Sequence, residues 1–186
     1  MTVQILRKKF TVGQYHQMIE SGILTDRDRV ELLQGEIIEM SPVGFKHAAC
    51  VDRLNDRLGK SLGDRAIIRV QSSIQLSNYS EPQPDIAILR RRDDFYGNGH
   101  PQPPDIFALI EVSDTTIKYD RETKLPLYAQ DGIPEVWIVD LGEQAIERYT
   151  APSPSGYQQT QTLTHQQLIR LQAFQDITFS IVQLLG

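Results

Sequence analysis

Ile106-Phe-Ala-Leu-Ile-Glu-Val-Ser113 decides how this chain reads. Its apolar residues run without alternation, as in a strand covered on both faces. A carboxylate, Glu111, then stands near the strand's end. A second apolar run, Asp85-Ile-Ala-Ile-Leu89, opens with a carboxylate directly after Pro84. Burying an unpaired carboxylate is costly, so an acid at the end of such a strand calls for a salt-bridge partner or a cation. Two carboxylates on neighbouring strands, pointing to one face, make a hard oxygen site suited to Mg²⁺ or Mn²⁺. The alternative is that each acid caps its strand or pairs with an arginine.

Downstream, Asp120, Lys124 and Tyr128 are spaced by four and share a face of a helical segment, roughly Lys118 to Gln130. The row is an ordinary surface ion pair, or it carries Lys124 back over the carboxylates, where an ammonium could stabilise charge on an attacked phosphate. Pro126 lies inside this segment and should kink it. Gly132 and Pro134 end it, and Val136-Trp-Ile-Val139 is the next buried strand, which makes Trp137 a core residue.

Upstream, His47, Val51, Leu54, Leu58 and Leu62 fall on one face of a helix from about Phe45 to Leu62. Ala66 to Gln71, with Ser73 to Leu76, reads as strand. Arg90 to Pro104 is a polar loop. At the N-terminal end, Thr11 with Gln14 predicts a capped helix over Val12–Glu20. Arg29–Leu33 and Glu36–Met40 flank Gln34-Gly35 as a hairpin. Ala145–Thr150 and Tyr157–Leu163 predict a second hairpin, and Phe174 to Leu185 is apolar enough to dock on the body. Strands interrupted by helices indicate one α/β layered domain, residues 1–186, with a mixed sheet.

The chain of 186 residues carries 19 Lys+Arg against 24 Asp+Glu, a formal net charge of -5. That argues against coating nucleic acid through bulk electrostatics, because such affinity comes from Lys and Arg displacing counterions. It leaves room for a local, metal-neutralised site. A single cysteine, Cys50, rules out an intrachain disulfide and a cysteine zinc cluster. It has no base partner nearby in the sequence pattern and is not read as a catalytic thiol. No apolar run approaches the ~18 residues that span a bilayer. Met1–Phe10 lacks the apolar stretch of a leader, so a cytoplasmic setting is expected.

Taken together, Gly35-Glu36, Met40-Ser41-Pro42 with His47, Gln83-Pro84-Asp85, Ile110-Glu111-Val112-Ser113, Asp120-Arg121 with Lys124, Tyr128-Ala129, Gly132-Ile133 and Val136-Trp137-Ile138-Val139-Asp140 resemble the Uma2 family, also called DUF820. These are restriction-endonuclease-like proteins abundant in cyanobacteria. The resemblance spans roughly Phe10 to Asp140. It implies the PD-(D/E)xK nuclease fold, with an αβββαβ core and a mixed sheet, here with added terminal hairpins. It implies Asp85 and Glu111 as the two acids, with the Val112 carbonyl completing a Mg²⁺ or Mn²⁺ site. The residue two beyond Glu111 should then be lysine, and this chain has Ser113 there. Lys124, from the following helix, is the natural substitute and Lys118 the weaker one.

The implied activity is metal-assisted hydrolysis of a phosphodiester, most naturally in DNA. The alternative is a catalytically degenerate nuclease-fold module that binds nucleic acid or a protein partner, which Ser113 and the acidic balance favour. His47 is either a satisfied core histidine or a residue lining the site, and Glu36 and Gln71 are candidate supporting groups. Arg90, Arg91 and Arg92 either contact a nucleic-acid backbone or form a solvated edge balanced by Asp93 and Asp94. His16, His100 and His165 show no ligand-like spacing and read as surface residues. A homodimer is plausible, because apolar hairpins and tail offer sheet edges that need covering.

Overall fold

The structure is a computed structural model that describes residues 7–25 and 27–186. Met1–Leu6, most of the segment read above as lacking a leader's apolar stretch, lie outside the described residues.

The chain starts as the capping signal predicts. Helix α1, Val12–Glu20, is closed by a capping box in which Thr11 and Gln14 satisfy each other's backbone N–H groups. Strands β1 (Val30–Leu33) and β2 (Glu36–Glu39) pair antiparallel around Gln34-Gly35. Both turn residues have positive φ, which is the geometry a tight hairpin requires. Helix α2 runs Phe45–Leu62 as the apolar period requires.

The body is a six-stranded sheet. Its strands are β3 (Ala66–Val70), β4 (Ile86–Arg90), β5 (Ile106–Ser113), β6 (Glu135–Asp140), β7 (Ala145–Ser153) and β8 (Gly156–Thr164). They lie side by side in sequence order. The β5–β6 pair is parallel and every other pair antiparallel, so the sheet is mixed. The hairpin predicted at the C-terminal end is not an appendage: β7 and β8 extend the central sheet. Ser73 to Leu76, predicted as strand, runs extended beside the sheet without joining it.

Both faces of the sheet are covered, which explains the unbroken apolar runs. On one face α2 packs with Ile86, Ile88, Ala108, Ile110, Trp137 and the tail. That tail contains the short β9 (Leu168–Ile169) and β10 (Phe179–Ser180) pair and helix α5 (Ile181–Leu185). The other face packs Ala87, Leu89, Leu109 and Ile138 against Leu127 and Tyr128. The outer strand β8 exposes glutamine and threonine along most of its length, so the apolar edge expected there is polar.

The helical segment over residues 117–130 departs from a regular α-helix. After α3 (Ile117–Tyr119) the chain widens over Asp120–Lys124 into a π-turn, where the Leu125 N–H donates to Asp120 O, five residues back. Helix α4 then begins at Leu125 and runs to Gln130. This restart places Pro126 in the first turn of α4, where its missing N–H costs no hydrogen bond. The proline therefore does not break the segment.

Candidate active site

Strand register brings the two acids together. Ile86 pairs with Ile110, so one step further Asp85 and Glu111 come opposite each other. Side chains alternate along a strand, so both project toward the α4 face while Ile86 and Ile110 project toward α2. The Asp85 N–H approaches Glu111 Oε2 at 3.4 Å. A cleft of about 840 Å³ opens over this sheet end. Seven carboxylates line it against three Lys and Arg side chains, so the cavity is strongly electronegative.

Asp85 is held by three donors. His47 Nε2 lies 3.0 Å from Oδ2, the Val112 N–H 2.8 Å from the same oxygen, and Gln71 Nε2 3.2 Å from Oδ1. Burial alone would raise its carboxyl pKa, but His47, Val112 and Gln71 outweigh burial and hold it below the ordinary value. Glu111 is fully enclosed. Burial pushes its carboxyl up to about 8, against the opposing pull of Lys124. Tyr128 OH donates to Glu111 Oε1. His47 is half-buried on α2, and its hydrogen bond to Asp85 raises its pKa. Its second nitrogen, Nδ1, is buried and has no hydrogen-bond partner among the described residues.

Lys124 reaches the two acids Glu111 and Glu31. From the π-turn its ammonium sits 3.3 Å from Glu111 Oε1 and 3.3 Å from Glu31 Oε2. Burial would lower its pKa, but the carboxylates around it, Glu111 first, hold it above the ordinary lysine range. Lys124 is therefore a fixed cation and not a base. Lys118 stays exposed at the rim beside Glu122. Ser113 is buried and donates to Asp120 Oδ2 at 2.6 Å. Thr116 donates to the same oxygen, yet burial dominates and raises the Asp120 carboxyl. Ser113 thus fixes the π-turn and leaves the cleft to Lys124.

Glu31 was not singled out from the sequence. It is buried on β1, accepts the Gln83 N–H at 3.0 Å and the Tyr119 hydroxyl at 3.2 Å, and shares Lys124 with Glu111. The signal that marked Glu111, an acid inside an apolar run, is present in Val30-Glu-Leu-Leu33 as well. Glu36, the hairpin acid picked instead, lies outside the cleft, with Lys9 2.8 Å away. Strand alternation separates Glu31 from its neighbours on the buried hairpin, and Glu36 falls on the open end.

Arg90, Arg91 and Arg92 do not join the cleft. Asp85 precedes β4 and Arg90 ends it, so at ~3.3 Å per residue roughly 16 Å of strand separates them. Arg90 stacks over Phe107, Arg91 over Phe95 and Arg92 over Tyr96, with Arg92 paired to Asp94. Cys50 is buried and its thiol is pushed up to about 11, so it carries no chemistry. His16 and His100, read as unrelated surface residues, converge on one carboxylate, Glu81.

With the fold and cleft described, the comparisons are direct. Residues 12–182 match the model of the family Uma2, described as "Putative restriction endonuclease". The chain belongs to the Uma2 family. No curated protein matches it. A similar solved structure is the crystal structure, at 1.96 Å resolution, of "a putative nuclease belonging to DUF820 from Anabaena variabilis ATCC 29413". It superposes with a TM-score of 0.73 at 17% identity, covering 95% of this chain and 97% of that one. The fold is thus the restriction-endonuclease-like Uma2 fold. Of the residues that carried the resemblance, Met40-Ser41-Pro42, His47, Gln83, Asp85, Glu111, Val112, Asp120 and Lys124 line the same cleft, and Gly35-Glu36 shape the hairpin outside it.

The cleft fits a hard divalent ion. Its inner donors are carboxylate oxygens from facing strand positions, it is electronegative overall, and Glu111 is pushed toward its neutral form by burial.

Proposed function

We propose that this Uma2 protein hydrolyses phosphodiester bonds in DNA with Mg²⁺ or Mn²⁺. The observation that carries the reading is the convergence of Asp85, Glu111 and Lys124 at one sheet end, in an open acidic cleft. Asp85, Glu111 and the Val112 carbonyl are the residues that would hold the ion. When bound, such an ion lowers the pKa of a coordinated water and draws charge off a phosphate.

The chain's own groups do the rest. Lys124 stays protonated and contributes fixed positive charge beside Glu111. Glu31 and Tyr119 hold the π-turn that carries it. His47 keeps a proton next to Asp85 Oδ2 and fixes that carboxylate's orientation. Gln71 does the same from the other oxygen. The acidic cleft repels a phosphate backbone until the carboxylates are neutralised, so DNA binding is expected to be metal-dependent and salt-sensitive.

The test is cleavage or nicking of DNA by the purified chain in Mg²⁺ or Mn²⁺. Asp85→Ala and Glu111→Ala should abolish it. Robust cleavage in EDTA would contradict the mechanism, and tight DNA binding in EDTA at physiological salt would contradict the account of the charge.

One observation favours a second reading, a nuclease-fold module that binds without cutting. Lys124 is already clasped between two carboxylates, and Ser113 is committed to Asp120. Calorimetry separates the two: heat of Mn²⁺ binding that vanishes in Asp85→Ala supports the nuclease, and no binding at millimolar Mn²⁺ supports the module.

A further inference from the structure

Glu81 is a buried carboxylate, 3% exposed at its side chain, and among the described residues its ion-pair partners within 4 Å are two histidines and no Lys or Arg. His16 Nε2, from α1, lies 2.8 Å from Glu81 Oε2. His100 Nε2, from the loop after β4, lies 3.7 Å from Glu81 Oε1. One ligand atom from each of the three residues falls within 4.8 Å of the others. The rings are 6.0 Å apart between centroids and tilted, so both can turn a nitrogen to a common point. Both histidines keep about two-fifths of their side-chain surface open, so an ion can reach them from solvent.

We infer that His16, Glu81 and His100 form a second metal site, separate from the Asp85–Glu111 cleft, for a late first-row divalent ion such as Zn²⁺. Metal–ligand bonds of about 2.0 to 2.2 Å in a tetrahedron put ligand atoms about 3.4 Å apart. His16 Nε2 and His100 Nε2 approach the two oxygens of Glu81 at 2.8 and 3.7 Å, so side-chain rotation is enough to draw all three residues onto one ion. The donor chemistry differs from the other cleft. Two imidazoles and one carboxylate suit zinc and its neighbours, whereas Asp85 and Glu111 offer hard oxygen suited to Mg²⁺. A buried carboxylate with no Lys or Arg among its ion-pair partners in the described residues lacks a fixed compensating charge, and a divalent ion supplies it. The ligating Nε2 must be free of a proton, so binding replaces the His16–Glu81 hydrogen bond and leaves the ring proton on Nδ1. Three protein ligands leave the fourth position to water.

The three ligands come from segments far apart in sequence, so the ion fastens them. Glu81 exchanges backbone hydrogen bonds with Leu32, next to Glu31, and stands four residues before Asp85. The site therefore braces the chain that carries two of the cleft's acids. This inference does not rest on the nuclease reading.

The experiment is a Zn²⁺ titration of the full chain by calorimetry in the Asp85→Asn/Glu111→Gln background, which removes the cleft as a competitor. One Zn²⁺ per chain is expected, with a rise in melting temperature and no response to Mg²⁺ at equal concentration. His16→Ala and His100→Ala in that background should each weaken Zn²⁺ by at least about tenfold. Unchanged affinity in either histidine variant, or no binding at millimolar Zn²⁺ to protein shown folded by circular dichroism, overturns the site and leaves a protonation-dependent ion pair. Should the background variant not fold, Co²⁺ added to the wild-type chain must broaden the ring resonances of both His16 and His100. Broadening confined to His47 overturns the proposal.

Discussion

The Lys124 ammonium lies 3.3 Å from the Glu111 carboxylate although the two residues sit on different elements, 13 positions apart in the sequence. The π-turn over Asp120–Lys124 makes this possible, because it swings Lys124 under the sheet end while Ser113 anchors the turn through Asp120. Widened turns of this kind concentrate at functional sites. Removing the ammonium leaves Glu31 and Glu111 buried without their shared cation. Lys124→Met should therefore cost about 3 to 5 kcal/mol in a denaturant titration. Adding Glu31→Gln to it should recover part of that loss. A Lys124→Met chain within about 1 kcal/mol of wild type would show that the clasp is not formed in solution.

Glu111 gives the chain a pH signature. Its folded-state pKa, raised by burial to about 8, exceeds its ordinary value of 4.5. The folded state then holds a proton that the unfolded state has released. The stability tied to this proton is fully present below about pH 4.5 and is lost as pH rises through about 8. In metal-free buffer the melting temperature of wild type should fall across this window relative to Glu111→Gln, by an amount on the order of a few kcal/mol in stability. Millimolar Mg²⁺ should flatten the wild-type slope, because a bound cation favours the ionised carboxylate. Parallel profiles for the two proteins would refute the assignment.

His47 offers a readout that does not need turnover. Its pKa is raised chiefly by the hydrogen bond to Asp85, with burial opposing. A cation on Asp85 competes for that carboxylate and removes the cause. An NMR titration of the His47 ring should thus show its pKa falling when Mg²⁺ is added, and no fall in Asp85→Asn. A His47 pKa indifferent to metal would place the ion elsewhere. His47→Ala should loosen Asp85 and weaken metal binding without unfolding the chain, since His47 lies in the first turn of α2, outside its apolar core.

Much of this was legible in the sequence for physical reasons. The caps of α1, the period of α2 and the unbroken runs of β4 and β5 are local or strongly periodic signals, and each element falls where expected. Asp85 and Glu111 stood out because a carboxylate in an apolar run must be compensated. Glu31 carried the same signal in a shorter run beside a turn, where solvation of the acid was the simpler reading. The π-turn has no sequence signature of its own. It arises from tertiary demands on Ser113, Asp120 and Lys124 together, and only in the fold does it relocate Pro126 to a helix start. The same holds for His16, Glu81 and His100, whose convergence depends on how the loop after β4 returns to α1. Arg90–Arg92 stand a strand's length from Asp85 in space, although they are near it in sequence.

Gly35 ties the Uma2 hairpin motif to the cleft. Its φ is +79°, and a Cβ there would meet the Lys9 Cβ at 2.8 Å and the Phe10 backbone at 3.1 Å. Its N–H donates to Tyr79 O at 2.7 Å and its carbonyl accepts from the Phe10 N–H at 2.9 Å. The glycine is thus a junction where the hairpin, the start of α1 and the segment leading to Glu81 and Asp85 press backbone to backbone. Any side chain must push one of them away, and the left-handed conformation adds strain of about 1 kcal/mol or more. Gly35→Ala should destabilise by at least about 2 kcal/mol, read by denaturant titration. Because Glu31 lies on the same hairpin, the variant should also loosen the Lys124 clasp, and a more distant ammonium should let the pKa of Glu111 rise further. A Gly35→Ala chain as stable as wild type would mean that the hairpin is not clamped against Phe10 and Tyr79, and that the Glu31 side of the cleft is supported from elsewhere.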